Sequence, residues 1–153
     1  MLEAAEIAAL ALACAPAGAT GTAQANVWRG SAGDPYAIGV VGAKLSHQPK
    51  TKEQAIYVAG ILQRAGLEFD IGVAQIRTST LRRLKVSVEQ ALEPCTNMKI
   101  MQDLLLEAYG RAVKRGHSPG TAASLAAISA YNTGSFHGGF ANGYVNKVGQ
   151  GHP

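Results

Sequence analysis

Few side chains in this sequence stand where proton transfer, nucleophilic attack or metal binding would need them. Asp34 precedes Pro35 in the run Gly30-Ser31-Ala32-Gly33-Asp34-Pro35, a place where aspartate commonly braces a turn. Glu53 belongs to a capped helix start, and Asp70 stands at the edge of an apolar segment. The histidines His47, His117, His137 and His152 lack metal-ligand spacing, so neither a metal nor another cofactor is expected. His137 falls in a glycine-rich turn and reads as a surface residue. The amide of Gln75, in Gly72-Val73-Ala74-Gln75, both donates and accepts, which suits a neutral polar ligand. Gly72 beside it admits close backbone approach.

Cys14 and Cys95 form an even pair, far apart in the chain. Either they make one disulfide in an oxidising compartment or they are two buried free thiols. A bridge closing so long a loop would stabilise the fold by roughly 4–5 kcal/mol.

These residues have to be placed by a chain of 153 residues, which fits one domain with a proper core. The net charge of +4 favours an anionic partner, such as nucleic acid, anionic lipid or a bacterial cell wall. The densest basic cluster, Arg82, Arg83 and Lys85, reads as the solvated face of a short helix, so no nucleic-acid partner is expected. The N-terminus carries Glu3 and Glu6 where a signal peptide is basic, and its apolar stretch is too short to span a bilayer. It reads as a first core helix on Leu2, Ile7, Leu10 and Cys14, without stable membrane insertion. An exported form would need a leader from an upstream start.

A weak helix is expected from Thr22 to Arg29, then turns, then a hairpin pairing Tyr36–Val41 with Lys44–His47. Thr51 and Gln54 form a capping box opening a helix to Ala65, with Val58, Ile61, Leu62 and Ala65 as its apolar face. The segment Phe69–Ile76 and a short helix over Ser79–Leu84 follow. Pro94 opens a long helix with Met98, Met101, Leu104, Leu105 and Ala108 facing inward, the methionines as core filling. Ser118 and Pro119 read as N-cap and N1 of a closely packed helix through Ala130. Tyr144, Val145 and Val148 belong to the tail. The pattern is α+β, mostly helical with one small antiparallel hairpin.

Four motifs occur in order: Ser31-Ala32-Gly33-Asp34-Pro35-Tyr36-Ala37-Ile38-Gly39-Val40, Phe69-Asp70-Ile71-Gly72-Val73-Ala74-Gln75-Ile76, Pro94-Cys95-Thr96-Asn97, and Ala130-Tyr131-Asn132-Thr133-Gly134 with Gly143-Tyr144-Val145 beyond. Together they resemble the soluble lytic transglycosylase domain, especially the small form found with type IV secretion and conjugation systems. The resemblance spans about residues 5 to 148. It implies a lysozyme-like fold and cleavage of peptidoglycan between N-acetylmuramic acid and N-acetylglucosamine, leaving a 1,6-anhydro sugar.

In that family one glutamate, directly before a serine, serves as acid and then as base. The serine matches Ser31, so the glutamate's position is Gly30. The segment Ala25-Asn26-Val27-Trp28-Arg29 also departs from the family's apolar helix. By the same resemblance, Ser31 contacts the sugar or its peptide stem and Gln75 hydrogen-bonds an N-acetyl group. Tyr131 would hold water or substrate in the absence of the glutamate. Asn132 braces a turn or contacts sugar, Gly134 ends the helix, and Tyr144 lines the cleft. The resemblance also implies a Cys14–Cys95 disulfide and a periplasmic location. Glycan strands, and components of a secretion or conjugation apparatus, are the partners it implies. The expectation is a transglycosylase-like protein impaired in catalysis by Gly30. The alternatives are an active enzyme with another acid, Asp34 first and Glu53 or Asp70 after it, and a structural module without catalysis.

Overall fold

A computed structural model of the chain describes residues 1–17, 27, 30–133, 135–141 and 145–146, with the side chains of Asn132 and Ala141 outside that set. Helix α1 spans Ala4–Cys14. Strand β1 (Ile38–Val40) and helix α2 (Lys52–Arg64) come next, followed by strands β2 (Phe69–Ile71) and β3 (Ile76–Arg77). Helices α3 (Thr78–Leu84), α4 (Val88–Ala91), α5 (Pro94–Lys114), α6 (Thr121–Thr133) and α7 (Gly138–Ala141) complete the order. The architecture is the expected one, mostly helical with a small antiparallel sheet. Among the described residues no helix is long and apolar enough to cross a membrane.

The sheet has order β1-β2-β3, with Ile38 opposite Ile71 and Asp70 opposite Arg77. Here the structure corrects an expectation, because residues 44–47 form no strand and β1 pairs with β2 instead. The reason lies in Gln48. Its Oε1 accepts from the Ile38 N–H at 2.9 Å and its Nε2 donates to the Ile38 carbonyl at 3.0 Å. One side-chain amide thus satisfies the outward backbone groups that a second strand would have taken.

Two helices also differ from expectation. On α2, Thr51 Oγ1 accepts from the Gln54 N–H at 3.1 Å, while Gln54 returns its Oε1 to Lys50 instead of Thr51. Its buried face is Ala55, Ala59 and Leu62, whereas Ile61 is 44% exposed and Ala65 lies outside the core. Small residues let that helix axis approach the core, a preference that side-chain hydrophobicity does not reveal. Helix α6 begins at Thr121, not at Pro119, because Gly120 has φ of +99°, which no α-helix accepts. The expected helix over Thr22–Arg29 lies largely outside the described residues, although Val27 and Gly30 are helical and Val27 is fully buried.

The main core joins α1, the sheet, α2, α3 and α5 through Ile7, Leu62, Phe69, Ile71, Leu81 and Met98. Met98 and Met101 both fill core space, as expected. Helices α5 and α6 meet through Ala112, Ala123 and Ala126, so their backbones approach closely. Cys14, the last residue of α1, is disulfide-bonded to Cys95 at the second position of α5, with Cα atoms 5.3 Å apart. Helix α3 has no side-chain cap of its own from Arg77. Glu68 supplies one, accepting from Thr78 Oγ1 at 2.7 Å and from the Ser79 N–H at 3.0 Å. The Thr78 hydrogen bond, and then Arg82, hold its carboxyl below the ordinary glutamate range. That cap fixes α3, and with it Arg83, along the edge of the cleft described next.

Candidate functional site

The turn after Gly30 and the loop between β2 and β3 are held against each other by Ser31. The Ser31 N–H closes a helical turn onto the Val27 carbonyl at 2.9 Å. Its hydroxyl donates to the Val73 carbonyl at 2.7 Å and accepts from the Gly33 N–H at 3.2 Å. Ser31 borders the cleft, yet it is 8% exposed and its hydroxyl faces inward. Gly33 has φ of +84°, and an added Cβ would stand 2.6 Å from the Leu2 carbonyl oxygen, so the N-terminal segment can dock only on glycine here. Asp34 Oδ1 accepts from the Tyr36 N–H at 2.9 Å, the turn-bracing role its type suggests.

The loop carrying Gln75 hangs from Asn97, which is completely buried in the first turn of α5. Asn97 Nδ2 donates to the carbonyls of Ile71 at 3.0 Å and Ala91 at 2.8 Å, and its Oδ1 accepts from the Ala74 N–H at 2.8 Å. A Cβ on Gly72 would lie 2.1 Å from that Nδ2, which is why the loop starts with glycine. Asn97 was present in the third sequence motif without an assigned task; its work is to shape the loop. Asn97→Ala leaves three buried backbone groups without their protein partner, and a loss of about 3 kcal/mol is expected. Urea unfolding measures it, and a loss below about 1 kcal/mol would mean that water replaces the amide.

Gln75 adopts a left-handed backbone, φ +52°, uncommon for a residue with a side chain. Its Nε2 donates to the carbonyls of Ala37 at 2.9 Å and Gly72 at 3.0 Å. Both amide hydrogens are thereby used, and Oε1 is the atom left to meet a ligand N–H. That oxygen rests against Gly39, where an added Cβ would be 2.9 Å away.

Two cavities meet at this point. The larger, about 580 Å³, runs between the sheet and α3 on one side and α5 and α6 on the other. The smaller, about 390 Å³, lies between the turn 30–34 and β1 with the loop after it. Both are of the size that holds small ligands. Gly30 and Gln75 border both, so an extended ligand crossing the groove would pass residue 30 midway. Leu104, Ala108 and Ala130 give the larger lobe an apolar surface. Tyr131 lines it as well, with its hydroxyl donating to the Ala74 carbonyl at 3.2 Å.

The structure therefore brings together Gly30, Ser31, Gln75 and Tyr131. Asn132 lies in α6 with its side chain outside the described set, and Gly134, Tyr144, Val148 and His152 lie outside the described residues. Among the described residues three carboxylates border the groove: Asp34, Asp70 and Glu107. Asp70 receives both Nε and Nη2 of Arg77, at 2.8 and 3.2 Å, and Glu107 pairs with Arg83 at 3.3 Å. Glu53 lies on the exposed start of α2 and borders neither lobe. Arg83, Glu107 and Arg111 are groove residues that sequence reading missed. The spacing of Glu107 and Arg111 places them on one face of α5, but only the position of α3 makes that face a wall.

Residues 13–151 match the family described as Transglycosylase SLT domain. The chain is 38% identical over 144 residues to the type IV secretion system protein virB1 of Brucella abortus, covering 91% of this chain and 60% of that protein. It is 34% identical over 152 residues to protein virB1 of Agrobacterium fabrum, covering 96% and 59% respectively. For protein virB1 of Rhizobium radiobacter the identity is 36% over 151 residues, covering 96% and 61%. The chain thus spans about three fifths of the length of these relatives. No solved structure matches it significantly.

Proposed function

We propose a peptidoglycan-binding role from one premise: the chain belongs to the transglycosylase SLT family. The observation that carries the reading is the groove, which stays open on both sides of residue 30 while residue 30 itself is glycine. The surface that would hold a glycan strand persists without the group that would move its proton. In the family's reaction the acid protonates the bridging oxygen, and the same group then takes the proton of the C6 hydroxyl as that oxygen closes on C1. Glycine can do neither, and the three carboxylates that border the groove among the described residues are engaged by arginines or by backbone. The chain therefore binds glycan strands and is impaired in cutting them.

Gln75 supports this reading, since its Oε1 is an acceptor of the kind an N-acetyl N–H requires. The similarity to virB1 proteins of type IV secretion supports work at the cell wall beside such an apparatus. The disulfide supports a periplasmic setting. Sedimentation with purified peptidoglycan sacculi tests the binding. The chain is expected in the pellet without release of anhydro-muropeptides, and Gln75→Ala is expected to reduce the bound share. A chain that stays in the supernatant at low salt would sink the binding reading and leave a structural module.

A further inference from the structure

Charge is spread unevenly along the chain. All ten acidic residues lie at or before Glu107, where ten of the fourteen lysines and arginines balance them. Beyond Glu107 the chain carries Arg111, Lys114, Arg115 and Lys147 and no acidic side chain, so the net charge of +4 resides there entirely. Arg111 borders the groove, and Lys147 lies outside the described residues. Lys114, the last residue of α5, and Arg115, its C-cap, are exposed and border neither lobe. Neither makes an ion pair among the described residues. A helix C-terminus favours cations, but it carries only about half a negative charge and cannot neutralise two of them.

The same end of the molecule shows apolar surface. His117 follows Arg115 after a single glycine, with its ring 5.1 Å from that of Phe136. Phe136 packs on Ala112, Ala123 and Ala126, which holds the turn between α6 and α7 beside the end of α5. The Phe140 N–H donates to the His137 carbonyl at 3.1 Å, so α7 opens from that turn. Phe140 itself is 50% exposed.

Cations alone would fit any polyanion. An exposed ring on the same end fits the boundary between lipid headgroups and acyl chains, where aromatic rings and cations sit together. Headgroup phosphates accept charge-assisted hydrogen bonds from guanidinium and ammonium alike. We propose that the end of α5 and the turn between α6 and α7 dock on an anionic phospholipid surface. Lys114 and Arg115 meet the phosphates, and Phe140 enters the acyl boundary. Contact stays peripheral, since among the described residues no helix is long and apolar enough to cross a bilayer. Docking is separate from binding in the groove. Because Arg111, one turn earlier on α5, borders the larger lobe, docking sets that lobe close to the membrane.

Flotation with vesicles tests it. At low salt the unmodified chain is expected to bind phosphatidylglycerol vesicles and not vesicles of phosphatidylcholine alone, and added salt is expected to release it. Lys114→Gln/Arg115→Gln is expected to weaken binding about 25-fold, close to fivefold for each cation at a charged bilayer. Phe140→Ser is expected to weaken it about fivefold through lost apolar burial. Lys50→Gln/Lys99→Gln removes equal charge from exposed positions outside both lobes and is expected to keep the binding. Lys114→Arg/Arg115→Lys keeps both charges and is expected to keep it too. No binding of the unmodified chain at low salt overturns the proposal. Equal losses in the two glutamine variants overturn it, since net charge then suffices, and so does equal loss in the charge-keeping exchange, which would mark a structural role. Single-stranded DNA bound as tightly as the vesicles, with Phe140→Ser without effect, overturns it in favour of an unselective polyanion surface.

Discussion

Gly30→Glu is expected to raise release of 1,6-anhydro-muropeptides from purified peptidoglycan by about 10²–10⁴-fold over the unmodified chain, the span of general acid–base catalysis. The geometry supports so large a gain from one side chain. Residue 30 ends a helical turn, borders both lobes, and has a backbone that a non-glycine residue adopts without strain. A Cβ there would meet Gln75 Cγ at 3.1 Å and Cβ at 3.3 Å, so the Gln75 side chain must yield by a few tenths of an ångström. That is a local adjustment, because Gln75 is anchored at its amide end while its methylenes are what must move. Gly30→Gln, equal in size but without a proton to give, is expected to remain inactive and separates chemistry from packing. Comparable release by the unmodified chain would overturn the impaired-catalysis reading and direct attention to Asp34, with Asp34→Asn as the next variant. Release from neither, with Gly30→Glu folded by circular dichroism, would mean that the groove no longer seats a strand for cleavage.

Breaking the Cys14–Cys95 bridge is expected to cost about 4–5 kcal/mol, because its sequence separation is 81 residues and the unfolded chain regains that loop's freedom. For a chain of this length the loss corresponds to a fall of about 10–15 °C in Tm. The consequence is local as well as global. Helix α1 buries only Ile7 and Ala11 along its length, and the bridge ties its last residue to the start of α5, two residues before Asn97. Asn97 in turn sets the Gln75 loop, so loosening this corner reaches the groove. Thermal unfolding before and after complete reduction, and of the Cys14→Ser/Cys95→Ser variant, measures the effect. A shift under about 2 °C would falsify the expectation and indicate that the unfolded chain keeps α1 near α5 without the bond.

Periodicity was a sound guide where one face of a long helix meets one core. The α5 residues Met98, Met101 and Ala108 are buried as their spacing predicts, and the Pro94 start holds. It held only in part on α2, where Leu62 is buried and Val58 packs partly against the core, but Ala55 and Ala59 complete the inward face in place of Ile61 and Ala65, because close approach of the backbone outweighed side-chain size. It failed at residues 44–47, since nothing local shows that Gln48 will satisfy the edge of β1. The Ser31 hydroxyl carries the same lesson for the site, as its partner Val73 lies 42 residues away.

From residue types and motif order alone came the α+β class, the family resemblance, the pair of cysteines and the glycine at position 30, where the resemblance implies an acid. Those depend on which atoms are present and on short-range spacing, and both are properties of the chain as written. Only the tertiary structure decided that Gly30 and Gln75 stand where two lobes of a groove meet, and that Asn97 suspends the loop between them. It also decided that Arg111 is left without an ion-pair partner beside the cleft, among the described residues. A groove and its charge are sums over elements far apart in sequence, and the packing of α3, α5 and α6 against the sheet sets which side chains enter that sum.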